Sequence, residues 1–242
     1  MLLLCLLIKT MSNATYPNEP ITANELWLLP SMVVLDLDYT VWPFDCGRYF
    51  LGPFTLADWG IVDWYYNMAE PYPHFRAIMR FLVDNDVPVS ICSRNPDITS
   101  IESLMRCIQF NCKRGLISMW DAIPQERIHA YSSDGSGGKN KHFSALQLDT
   151  GVDLSKVLFF DDLEENIVQA RRRGITSVHV STKTGLNWSA LRLGLHHYAV
   201  ASTGYAVDPH GPESFTVVES DGTEEEIKAV VKSVVESVLA SA

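Results

Sequence analysis

Asp36 and Asp38 stand two residues apart, directly after the apolar run Met32-Val33-Val34-Leu35. Side chains two apart on a strand project to the same side, so a strand continuing this far would bring both carboxylates together at its carboxyl end. Two such charges repel in a low-dielectric setting and require protonation, hydrogen bonds or a cation. Three further groups of matching chemistry follow. Ser93-Arg94 closes the apolar run 87–92, Lys139 follows the glycine-rich stretch 132–138, and Asp161-Asp162 closes the apolar run 156–160. Carboxylate oxygens suit a hard cation such as Mg2+. A hydroxyl, backbone N–H groups and an ammonium supply donors and charge for phosphoryl oxygens. Together the four groups describe a Mg2+ and phosphate site.

Such a site needs elements that deliver all four groups to one place. The runs 32–35, 87–92 and 156–160 read as buried strands, with shorter ones near 127–131 and 175–180. Between them lie helical patterns at 74–84, 97–109, 140–148, 163–173 and 186–195, with Asp97 as a helix start and Gly174 as a stop. Strands alternating with helices predict βαβ units, hence a doubly wound parallel sheet covered on both faces. Ligands of such sheets gather outside the carboxyl ends of the strands, where these residues fall. The aromatic stretch between Pro43 and Pro73 reads as a long loop or flap, with its cluster at 59–66 either in the core or lining a substrate entrance. No insertion is large enough for a folded cap domain. Residues 1–30 read as an N-terminal arm, 31–196 as the α/β body, and 197–242 as an extension. That extension carries a capping box at 223–226 and an apolar stripe (Ile227, Val230, Val231, Val234, Val235, Val238, Leu239) that predicts an amphipathic helix.

The 242 residues carry a net charge of −10, which argues against nucleic acid and anionic membranes as partners. Five cysteines without a CxxC pair suggest neither a disulfide framework nor a zinc site; reduced thiols in the cytoplasm are the expectation. The apolar start MLLLCLLI is far shorter than the roughly 20 residues that span a bilayer. The sequence is silent on oligomeric state.

The order DxDx(T/V), then Ser, then Lys, then an acidic pair after a hydrophobic strand resembles the haloacid dehalogenase (HAD) superfamily. The resemblance is closest to its eukaryotic magnesium-dependent phosphatase family and covers about 31–196. It is carried by Leu35-Asp36-Leu37-Asp38-Tyr39-Thr40-Val41-Trp42-Pro43-Phe44, Cys92-Ser93-Arg94, Lys139 with His142-Phe143, and Phe159-Phe160-Asp161-Asp162 with Asn166-Ile167. Asn95 stands where the family usually has Thr, and Gly138 where it has Ser. The resemblance implies a HAD-like Rossmannoid fold and a Mg2+-dependent phosphatase. Asp36 would be the nucleophile, and Asp38 the acid and then the base. Mg2+ would be held by Asp36, the Asp38 backbone carbonyl and the 161–162 pair, with Asp162 the ligand and Asp161 close by. Ser93 and Lys139 would hold the phosphoryl oxygens, with Arg94 reaching the substrate, a phosphorylated small molecule or phosphoprotein. The alternatives are a phosphotransferase of the same superfamily and a catalytically silent scaffold. A receiver-like signalling domain is excluded by order, since its acidic pair ends the first strand.

Overall fold

The structure, a computed structural model, describes residues 16–22, 27–132 and 138–202. The apolar N-terminal run and the amphipathic helix expected after 223 lie outside these residues. The first strand, β1 (Met32–Leu35), is buried along its whole length. It forms the middle of a five-stranded parallel sheet with β4 (Val89–Ser93), β7 (Ile128–Ala130), β8 (Val157–Asp161) and β9 (Thr176–His179), in the order β7-β4-β1-β8-β9. β1 registers Leu35 against Ile91 on one side and Phe160 on the other.

Alternation along β1 serves two cores at once. Val33 and Leu35 join the larger core with helices α1 (Phe75–Asp84), α2 (Ile98–Cys107) and α6 (Trp188–Ser202). Met32 and Val34 join a smaller one with α4 (Asn140–Thr150) and α5 (Glu164–Arg172). Helices on both faces make the sheet doubly wound. Asp97 caps α2 by accepting the Ser100 N–H at 3.1 Å, and Gly174 follows α5 at φ +77°, the left-handed region that glycine enters without strain.

Three local expectations change. The flap 43–73 contains an antiparallel hairpin, β2 (Thr55–Ala57) with β3 (Gly60–Val62). Helix α2 stops at Cys107 rather than 109, because β5 (Gln109–Cys112) turns back onto β6 (Gly115–Ser118), with the short helix α3 (Met119–Ala122) after it. Helix α6 starts at Trp188 and runs to Ser202, where the sequence suggests 186–195. Arg192 on α6 is 3% exposed, and its guanidinium donates to the carbonyls of Pro17, Glu19 and Pro20. Among the described residues no helix is long and apolar enough to cross a membrane.

Candidate active site

β1 ends at Leu35, but its ladder reaches one residue further, because the Asp36 N–H donates to the Phe160 carbonyl at 3.0 Å. This fixes Asp36 at the sheet's carboxyl edge, 7% exposed. The chain then folds into a tight loop in which the Leu37 carbonyl accepts the N–H groups of Thr40 and Val41. Tyr39 takes a left-handed φ of +59° there. Strand alternation therefore does not carry through to Asp38, and the two carboxylates have different partners. What changes is the expectation of a strand continuing to Asp38: a loop, not strand alternation, sets the direction of its side chain.

Asp36 joins a buried ionic cluster. One oxygen each from Asp36, Asp161 and Asp162 lies within 4.8 Å of the others. Lys139, the residue before α4 and only 1% exposed, places its ammonium between Asp36 and Asp161 Oδ2, the latter at 2.6 Å. Burial opposes the Lys139 charge, but the Asp161 and Asp36 carboxylates overcome it and hold the ammonium above its ordinary range. Burial pushes Asp36 up despite the pull of Lys139, and the Asp161 charge adds to the push. Asp162 is pushed up to about 6, by burial first and Asp161 second. Three carboxylates around one ammonium leave a deficit of positive charge.

Asp161 is the saturated member. Its Oδ1 accepts the Leu163 N–H at 2.8 Å and Asn166 Nδ2 at 2.9 Å, while Oδ2 accepts Lys139 and, at 3.0 Å, Asn166 Nδ2. Asp162 is half-buried, and its backbone carbonyl pairs with His179 Nε2 at 2.7 Å.

Asp38 lies in a separate cradle. Its Oδ1 accepts Trp42 Nε1 at 2.7 Å and the Cys46 N–H at 3.0 Å, and its Oδ2 accepts Asn95 Nδ2 at 2.9 Å. Burial raises its pKa and outweighs the three donors. Ser93 closes β4 nine-tenths buried or more, its Oγ accepting the Asn95 N–H at 3.2 Å. Its carbonyl pairs with Nε2 of the buried His142 at 2.8 Å. Arg94 turns to Glu165 on α5, at 2.8 Å.

The structure thus brings Asp36, Asp161, Asp162 and Lys139 into one cluster, joins Ser93 to Asp38 through Asn95, and ties Arg94 to α5. Sequence reading gave no role to Trp42, Asn95 or Asn166. Their signal was position: Trp42 follows Asp38 by four residues, Asn95 directly follows Ser93-Arg94, and Asn166 lies one helical turn past the acidic pair.

Residues 28–201 match the family model described as Acid Phosphatase. The chain is 31% identical over 177 residues to magnesium-dependent phosphatase 1 of Homo sapiens, covering 73% of this chain and 91% of that protein. A HAD-like hydrolase superfamily protein of Schizosaccharomyces pombe is 28% identical over 166 residues, covering 65% of this chain and 90% of its own. Among solved structures, the N-terminal part of a Bacteroides fragilis protein, containing a phosphatase domain complexed with Mg, superposes with a TM-score of 0.47 at 16% identity, covering 69% of this chain and 40% of that one.

Proposed function

The chain belongs to the acid phosphatase family of the HAD superfamily, and from that premise we propose that it hydrolyses phosphate monoesters through an aspartyl-phosphate formed on Asp36. The observation that carries the proposal is the division of labour between two carboxylates. Asp36 touches a fixed ammonium among other acids, whereas Asp38 is held apart by three neutral donors with its pKa raised. Unlike environments for two nearby acids are how a site separates nucleophile from proton donor.

Mg2+ fits the cluster. Three converging carboxylates with one ammonium among them leave unbalanced negative charge, and hard oxygen donors suit this ion. Asp36 and Asp162 would hold it, with the Asp38 carbonyl as the family pattern implies. Asp161 stands behind them, its oxygens engaged by Lys139, Asn166 and the Leu163 N–H. When bound, the ion screens nucleophile from phosphate and neutralises developing charge.

The chain's own residues account for the rest. Lys139 orients Asp36 and offers its remaining donors to a phosphoryl oxygen. Ser93 Oγ presents a hydroxyl at the end of the neighbouring strand. Asp36 attacks phosphorus in line while Asp38 protonates the departing oxygen; Asp38 then takes a proton from the water that releases phosphate. Arg94, held at the rim by Glu165, meets the ester's organic part. The substrate is a small sugar phosphate or a phosphoprotein, and a panel of phosphorylated sugars and phosphopeptides, each assayed with Mg2+ and with chelator, identifies which. Acid-quenched enzyme should retain label from a radioactive phosphate ester, and Asp36→Asn should retain none. Labelling that survives Asp36→Asn overturns the assignment.

A further inference from the structure

We propose that Asn95 is a positioning residue that makes Oδ2 of Asp38 the proton-transferring oxygen and fixes where that oxygen points. The proposal rests on the reading of Asp38 as acid and base. Three observations lead to it.

First, the Asn95 amide has one orientation. Its Oδ1 accepts the Asp97 N–H at 3.0 Å, so its NH2 group faces the other way. There it donates to Asp38 Oδ2 at 2.9 Å and to the Cys46 carbonyl at 2.6 Å. Both amide hydrogens are used, and Asn95 is a permanent donor to Asp38.

Second, the two oxygens of Asp38 are unequally loaded. Each carboxylate oxygen has two lone-pair sites. Oδ1 accepts two donors, from Trp42 and Cys46, whereas Oδ2 accepts one, from Asn95. The lone pair left for a mobile proton is on Oδ2, and the Asn95 bond sets its direction.

Third, Asn95 also contacts the hydroxyl proposed to bind phosphate. Its backbone N–H donates to Ser93 Oγ at 3.2 Å. One residue therefore fixes the acid relative to the phosphoryl-binding strand end.

In the first half-reaction the Oδ2–H bond breaks as a new O–H bond forms on the leaving oxygen and its bond to phosphorus breaks. In the second, Oδ2 takes a proton from water as the water oxygen bonds to phosphorus, and Asp36 leaves as carboxylate. Both transfers use the oxygen that Asn95 holds.

A substrate comparison tests this in the full-length enzyme with saturating Mg2+. An alkyl phosphate such as 2-glycerophosphate needs its leaving oxygen protonated, whereas p-nitrophenolate departs with little help. Asn95→Leu should lower kcat/KM, which reports the first half-reaction alone, by about 30-fold on the alkyl ester and by less than about threefold on p-nitrophenyl phosphate. Asn95→Thr, which retains a donor hydroxyl, should recover part of the alkyl-ester rate. Should Asn95→Leu not fold, Asn95→Ala carries the same comparison, since it removes the donor without adding bulk or charge beside Asp38. Equal losses on both esters, or none, overturn the proposal, because a merely structural residue would not discriminate between leaving groups. Asp38→Asn is the control. If it does not discriminate between the esters, the acid–base reading itself fails. If it does and the Asn95 variants do not, only the role of Asn95 fails.

Discussion

A Cβ atom on Gly138 would stand 2.0 Å from the side-chain amide of Gln169, the same amide whose Oε1 accepts the Lys139 N–H at 2.9 Å. Gln169 on α5 thus fills the room beside Gly138 and uses it to hold the backbone of the site's lysine. Gly138→Ser should lower kcat/KM on p-nitrophenyl phosphate by about tenfold, because the serine pushes the amide off Lys139. Adding Gln169→Ala should recover part of the loss. Recovery should stay incomplete, since φ at 138 is +75° and a left-handed L-residue costs about 1–2 kcal/mol. Steady-state kinetics on the two single variants and the double variant give the coupling.

Lys139 and Lys141 lie two residues apart, yet the first is 1% exposed between two carboxylates and the second is exposed. Lys139→Ala should lower kcat/KM by about two orders of magnitude or more, since it removes a charge-assisted contact worth roughly 1.5–3 kcal/mol and leaves Asp36 and Asp161 uncompensated. Lys141→Ala should stay within a few fold. Assaying both variants at saturating Mg2+ makes the comparison, and a larger loss from Lys141→Ala would contradict the placement of the ammonium.

Asp161 and Asp162 are adjacent and should fail differently. Asp161→Ala removes a buried acid that serves Lys139, Asn166 and the Leu163 N–H, so it should destabilise the fold by about 3–5 kcal/mol. Asp162→Asn should change the unfolding midpoint little and raise the Mg2+ concentration needed for half-maximal turnover about tenfold or more. Thermal unfolding and Mg2+ titration together separate the two.

Acid should weaken the fold through two buried histidines, His129 and His142, and two half-buried ones, His196 and His197. Burial lowers the pKa of His129, His142 and His196, and that of His197 to about 3, with neighbouring charges adding at His197. For each, the unfolded chain binds the proton more readily, so stability is full above about 6.5 and falls as pH drops from there toward the folded pKa. For His197 alone the fall by pH 4 has an upper bound of about 3 kcal/mol, before solvent screening reduces it. His197→Gln should flatten the decline of unfolding free energy between pH 6.5 and 4 relative to the parent chain. An unchanged slope would show that the imidazole protonates freely in the folded state.

The strands that carry the site were legible because a buried parallel strand must be apolar on both faces. Val33-Val34-Leu35 and Val157-Leu158-Phe159-Phe160 announce themselves, and the polar residues after them stand out. Lys139 was legible only through its place after the glycines; nothing local shows that it enters the core. Asn95 was opaque, because its partner Asp38 lies 57 residues earlier in a loop whose fold no periodicity encodes. The β5–β6 hairpin did leave a trace. In Gln109-Phe110-Asn111-Cys112, Gln109 and Asn111 are exposed and Phe110 is buried, but an alternation this short is hard to tell from a helix end.

The three carbonyls that receive Arg192 belong to residues 17–20, upstream of residue 28, where the family match begins. Similarity and folding therefore draw the N-terminal border of this unit in different places. A version cut at the similarity border would take these three acceptors away from a guanidinium that is 3% exposed with them in place, leaving water to replace them and α6 without that anchor. The smallest piece that behaves as an autonomous module should start upstream of Pro17, although the family model matches from residue 28.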